Sequence, residues 1–258
     1  MDYKAITLET LYGIATLTLN RPTVMNALNT QMRAEITHAV KAAEKTARVL
    51  VITGAGKAFC SGQDLGDGGS AADLDLERTL RDEYVPMLQA IFDCQIPTIC
   101  AVNGPAAGAG ANLALAADVV IASEEAYFVQ AFTRIGLIPD AGGTYWLPRQ
   151  VGAAKAMGAA LFADRISARQ ASDWGMIYEA VPADDFTAHI QSRANHLANG
   201  PTIAYRYLKQ AIRGSFDNTL ENQLTLEAQL QGKCGKTRDF QEGVVAFLEK
   251  RKPSYEGR

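Results

Sequence analysis

The chain has 258 residues, 48% of them hydrophobic and 21% charged, with a formal charge of −3. That content is enough to bury a large core and argues against disorder, in either one big domain or a domain with an appendage. The slightly acidic balance gives no global attraction to nucleic acid or to an anionic membrane.

In chain order, strands come first. Ile6, Leu8, Ile14, Leu17 and Leu19 fit two short strands meeting at Tyr12-Gly13, an antiparallel hairpin. Asn29 or Thr30 suits the cap of a helix to about residue 45, whose apolar face is Met32, Ile36, Ala39, Val40 and Ala43. Residues 49–53 form a compact apolar strand ended by Gly54-Ala55-Gly56, and this alternation points to a layered α/β core. Residues 65–75, rich in Gly, Asp and Ser, are expected to be a mobile loop. A helix over 76–92, a strand over 97–102, a glycine turn over 104–110, a helix over 111–117 and a strand over 119–122 follow. After about residue 195 glycine thins out, and helices are expected over 202–213, 219–231 and 238–250. Their apolar stripes predict an appendage packing on the core and on other subunits, which divides the chain into a core of 1–198 and a helical region of 199–258.

Three segments carry chemistry. Asp140 is a lone carboxyl group in the apolar, glycine-rich stretch from Gly136 to Thr144, near the expected start of a helix. Poor solvation there suits a proton carrier, although an aspartate after a proline also serves as a turn former or cap. The turn Ala58-Phe59-Cys60-Ser61-Gly62-Gln63-Asp64-Leu65 ends in a glycine able to aim an amide hydrogen outward. The turn from Asn103 to Asn112 leads into a helix, where unsatisfied N–H groups favour negative charge. Two such amides would form an oxyanion hole for a carbonyl that becomes an enolate.

Several motifs in one order make the chain resemble the crotonase superfamily, also called the enoyl-CoA hydratase/isomerase family. They are Asn20-Arg21-Pro22 with Asn26-Ala27-Leu28-Asn29, the Phe59 to Leu65 turn, the Asn103 to Asn112 turn, Gly142-Gly143-Thr144, and Ala246 to Arg251. Within the family the likeness is nearest to the ring-epoxide isomerases of phenylacetate breakdown, through Gly136 to Gly143 with Asp140, Ala156-Met157-Gly158 and Trp174-Gly175-Met176-Ile177. The resemblance implies an α/β fold with a repeated β-β-α spiral core and a carboxy-terminal helical domain, assembled as a homotrimer or a dimer of trimers. It implies an acyl-coenzyme A substrate, with coenzyme A part of that substrate and no separate cofactor. The thioester carbonyl would be held by the amides of Gln63 and Ala109.

Family hydratases carry glutamates where this chain has Asn112 and Phe132, so the resemblance implies isomerisation, in which Asp140 takes a proton at one carbon and returns it at another. The expected substrate is a ring-1,2-epoxide of phenylacetyl-CoA rearranging to an oxepin thioester, or an enoyl-CoA whose double bond shifts. An enoyl-CoA hydratase of the same fold and an RNA-binding homologue are the alternatives. Phe128, Phe132, Tyr145 or Trp146 would suit a flat ring. For the coenzyme half, the resemblance implies backbone contacts near Val24, Met25, Ala58, Asp64 and Leu65, and Phe247 of a neighbouring subunit is a candidate adenine contact. Arg21, Lys57 and Lys250 are candidates to face its phosphates, whereas Asp64 suits a structural or adenine-side role.

The other reactive residue types point elsewhere. Asn112 suits a helix-surface or pocket-wall amide, and His38, His189 and His196 suit surface or interface positions. Ser61 lacks a paired histidine, and Cys60 fits an inert buried thiol. The four cysteines, Cys60, Cys94, Cys100 and Cys234, show no paired metal spacing, and their scatter fits a reducing compartment. No metal, nicotinamide or flavin motif is present. The amino terminus lacks the build of a signal peptide, and no apolar run reaches the ~20 residues of a spanning helix. A cytoplasmic protein without nucleic-acid or membrane partners is expected.

Overall fold

The computed structural model describes residues 2–66 and 75–258; of the expected 65–75 loop, residues 67–74 lie outside the described residues. The first two strands, β1 (Ile6–Leu11) and β2 (Ile14–Leu19), pair antiparallel around Tyr12 and Gly13. Both turn residues have positive φ, the geometry that matches the right-handed strand twist. β3 (Val49–Gly54), β4 (Thr98–Val102), β6 (Val119–Ser123) and β9 (Glu179–Val181) extend the sheet in parallel, in the order β1-β2-β3-β4-β6-β9.

The apolar run of β3 has no polar interior because both faces of the sheet are covered. Leu50 and Ile52 join one core with Met32, Ile36, Ala39 and Val40 of α1 (Thr30–Thr46), which Asn29 caps by accepting from the Met32 amide at 2.9 Å. Val49 and Val51 point the other way, onto Phe186, Ile190 and Ala194 of α7 (Ala183–Ala198). Leu76 to Asp93 form one helical stretch, comprising α2 (Leu76–Thr79), a π-helical segment (Leu80–Tyr84) and α3 (Val85–Asp93).

The stretch from 103 to 182 holds elements that periodicity does not announce. A second sheet, in the order β5-β7-β8, is made of β5 (Ala106–Ala107), β7 (Tyr127–Val129) and β8 (Ile166–Ser167), too short to show alternation. Chain order then reads as a large-sheet strand, a small-sheet strand and a helix: β4, β5 and α4 (Ala109–Leu115), followed by β6, β7 and α5 (Gly143–Phe162). After α6 (Ala168–Asp173), β9 and α7, three helices follow: α8 (Thr202–Gly214), α9 (Leu220–Cys234) and α10 (Arg238–Leu248).

Arg48 ties that helical region to the core by donating to the carbonyls of Gly200 and Tyr255 and to the Thr202 hydroxyl. Asp118, at the head of β6, pairs with Lys209 and Arg213 of α8, each at 2.7 Å. Leu220, Leu224, Phe240, Phe247 and Leu248 are exposed. No described helix is long and apolar enough to cross a membrane.

Candidate active site

Two turns meet at the edge of the small sheet, where Cys60 bridges Ala106 of β5. The Ala107 amide donates to the Cys60 carbonyl at 2.9 Å and the Gly108 amide to the Val129 carbonyl at 2.8 Å, so the Cys60–Gln63 turn lies beside the turn that opens α4. Gly62 has φ +95°, and a Cβ there would sit 2.8 Å from the Ala107 carbonyl oxygen and 3.4 Å from the Ala109 nitrogen. Only glycine fits that close approach. Ala109 is the first residue of α4, where an amide has no partner inside its own helix. Neither its N–H nor that of Gln63 enters the backbone hydrogen bonding of the described turns and loops.

Gln63 and Ala109 line one cavity of about 290 Å³ together with Asp140. Leu65, Leu76, Leu80, Tyr84, Phe132, Ile135 and Leu137 supply its apolar wall, and Asp140 is the sole carboxylic acid among the described lining residues. The Asp140 Oδ1 atom is buried without a hydrogen-bond partner. Burial raises the Asp140 carboxyl from 3.8 to about 6, because the charged form loses solvation and no donor replaces it.

The Asp140 turn is held from behind. Its carbonyl accepts from the Gly143 amide at 2.8 Å and from Asn112 Nδ2 at 2.7 Å, and Asn112 Oδ1 accepts from Gln130 Nε2 at 2.8 Å. Asn112 is fully buried and does not line the cavity, which corrects the expectation of a surface or pocket-wall amide. A helix in the core gives its side chain no route to either place. Phe132 does line the cavity, so the two positions where family hydratases carry acids hold a buried strut and an aromatic wall.

Other expected residues separate. Among the aromatic candidates, Tyr145 and Trp146 line a different cavity of about 340 Å³ with Phe92, and Phe128 is buried in the core. Val24, Met25, Ala58 and Asp64 lie outside the cavity lining but are stitched around its edge. Ser61 donates from its amide to Met25 and from its hydroxyl to Val24, while Asn26 Nδ2 donates to Ala58. Asp64 pairs with Arg21 at 2.7 Å; burial pushes the Asp64 carboxyl up, but the Arg21 guanidinium and the Gly66 amide, with Arg33 nearby, more than offset it, leaving it below the usual range. That pairing ties up part of the Arg21 fork expected to face phosphate, while Lys57 is exposed. Phe247 and Lys250 lie outside this cavity, and Phe247 is 83% exposed.

The remaining candidates are placed simply. Cys60 is fully buried, and burial drives its thiol up to about 12, the setting of an inert cysteine. His38 bonds Tyr3 and His189 bonds Glu179. Among the described residues no cluster of His, Cys, Asp and Glu is built to hold a metal.

Two residues at the site escape a reading of motifs. Arg33 is 2% exposed and donates to Glu83, the Leu28 carbonyl and Gln63 Oε1, and Tyr84 donates to the same Gln63 oxygen. The signal available was position: Arg33 lies three and seven residues before Ile36 and Val40, and Tyr84 lies four and seven before Leu88 and Ile91.

Residues 9–258 match the family model described as enoyl-CoA hydratase/isomerase. A Rhodobacter capsulatus protein named probable enoyl-CoA hydratase is 59% identical over the full length of both chains. The 1,2-epoxyphenylacetyl-CoA isomerase of Escherichia coli is 46% identical over 95% of this chain and 96% of its own. In three dimensions, a Mycobacterium abscessus protein described as an enoyl-CoA hydratase/isomerase superposes with a TM-score of 0.93 at 38% identity, covering 98% of this chain and 100% of its own.

Proposed function

The chain belongs to the enoyl-CoA hydratase/isomerase family, whose members act on CoA thioesters, and from that premise we propose that it is an isomerase using Asp140 as its one acid/base. The observation that carries this reading is the single carboxylic acid among the described residues of the cavity, left without a donor and raised to about 6. A carboxyl group so tuned accepts a proton near neutral pH and gives it back. The amides of Gln63 and Ala109 hold the thioester oxygen as it gains charge, which lets a proton beside the carbonyl leave.

The substrate we favour is a ring-1,2-epoxide of phenylacetyl-CoA, which rearranges to the oxepin thioester; double-bond migration in enoyl-CoA uses the same groups. The 46% identity to an epoxyphenylacetyl-CoA isomerase supports it, as does a cavity walled by Phe132 and Tyr84. Its volume of about 290 Å³ exceeds the ~150 Å³ that holds a benzene ring. The relative named as a hydratase at 59% identity favours hydration as the second reading. Adding water calls for a group to hold and deprotonate it as well as a proton donor, and Asn112 and Phe132 supply neither.

The test offers the purified protein the ring-epoxide thioester, a 3-enoyl-CoA and crotonyl-CoA side by side. Oxepin formation or double-bond migration above hydration supports isomerisation; strong hydration with no isomerisation defeats it. The exposed apolar residues of α9 and α10 support assembly as a trimer or dimer of trimers, with Phe247 reaching a neighbour's coenzyme, which light scattering and a Phe247→Ala affinity measurement check.

A further inference from the structure

Gln63 is anchored by its side chain as well as by its backbone. Its Oε1 accepts from two buried donors at once, the Tyr84 hydroxyl at 2.5 Å and Arg33 Nη1 at 2.9 Å, and its Nε2 donates to the Asp64 carbonyl at 3.3 Å. Arg33 is itself immobilised: Nε and Nη2 hold Glu83, Nη1 holds the Leu28 carbonyl, and the guanidinium lies 4.8 Å from the centre of the Tyr84 ring. The π-helical segment Leu80–Tyr84 brings consecutive residues Glu83 and Tyr84 to the same cation, a widening that helices use at functional sites.

Gly62 has φ +95°, and the planar peptide that carries the Gln63 N–H also carries the Gly62 carbonyl, which the Leu28 amide holds at 2.8 Å. The Asp64 amide bonds the Leu28 carbonyl at 3.1 Å, and the Gln63 side chain adds a third tether, the one that reaches the buried pair Tyr84 and Arg33.

We propose that Tyr84 and Arg33 are positioning residues that act through the Gln63 side chain to hold the Gln63 amide hydrogen in line with the substrate carbonyl. Tyr84 lines the cavity, yet in this assignment its hydroxyl serves Gln63 and not the acyl group. The inference rests on the reading of Gln63 and Ala109 as an oxyanion hole. A preorganised donor keeps its value only while its direction is fixed, so a loosened one loses part of the ~100-fold or more that complete removal costs.

The experiment uses the full chain, its Gln63→Leu and Tyr84→Phe variants and the double variant, each checked by thermal melting. The probe is the CoA thioester of 4-dimethylaminocinnamate, whose absorbance moves to longer wavelength when its carbonyl is polarised. Each single variant is expected to show a smaller red shift and kcat for 3-enoyl-CoA isomerisation down about 10-fold with KM little changed. The double variant is expected to be no worse than Gln63→Leu, because Tyr84 has nothing left to act through. Additive losses, or a change in KM alone, overturn the assignment. An unaltered red shift in Tyr84→Phe does so too, even if Gln63→Leu fails to fold. A wild-type protein that binds the probe with no red shift removes the oxyanion-hole reading itself, and this inference with it.

Discussion

Asn112 Nδ2 donates to the main-chain carbonyl of Asp140 at 2.7 Å, so a buried amide on one helix fixes the turn that presents the acid of the next. Replacing Asn112 with Leu keeps the branched outline, takes one of two donors from that carbonyl and leaves Gln130 Nε2 without a partner. Unmade buried hydrogen bonds cost about 1–3 kcal/mol each. We expect Asn112→Leu to lower stability in urea by about that amount and to reduce kcat more than it raises KM. Unchanged urea midpoint and turnover would remove the strut role.

Asp140→Asn keeps the shape of the side chain and abolishes its transferable proton. Isomerase turnover should fall at least ~100-fold while affinity for a CoA thioester is retained, the size typical of general acid/base catalysis. Steady-state kinetics beside calorimetric titration separates the two quantities, and near-wild-type turnover refutes the role.

The pH dependence follows from the raised carboxyl group. Acting first as a base, Asp140 must be ionised, so log kcat/KM should rise with pH through about 6 and then level. Stability moves the other way. The folded state binds this proton more tightly than the unfolded state does, so the contribution of Asp140 is undiminished below 3.8 and is lost as pH rises to about 6. Asp140→Asn should therefore melt above wild type at pH 7 to 8 and together with it near pH 3.5. An Asn variant that melts lower than wild type at neutral pH contradicts the burial argument.

Gly62→Ala places a methyl group 2.8 Å from the Ala107 carbonyl oxygen and 3.4 Å from the Ala109 nitrogen, at a φ of +95° that alanine resists. The turn must shift, and an oxyanion donor moves with it. Loss of one such donor costs roughly 100- to 1,000-fold in kcat. Turnover within a few-fold of wild type would show that this turn carries no donor.

Much of the architecture is written locally. The Tyr12-Gly13 turn, the Asn29 cap, the uninterrupted apolar run of β3 and the three carboxy-terminal helices follow from turn chemistry, capping and periodicity within a few residues. The isolation of Asp140 in an apolar stretch is local too, because a carboxyl group with no polar neighbours in sequence has few ways to be solvated once its segment is buried. The arrangement of motifs also marks the family.

What the residue order could not decide were pairings across the fold. Arg33 reads as an ordinary helix charge until Glu83, fifty positions away by sequence separation, and Gln63 close around it. Asn112 reads as a polar residue on a helix until folding sets it under the Asp140 turn, and the adjacent aromatics Tyr145 and Trp146 fall into a separate cavity from Phe132. Local propensity fixes which segments are strands and helices. The solvation of a charge, the partner of a buried amide and the cavity a ring enters are set by atoms from distant segments, and only the assembled tertiary structure brings those atoms together.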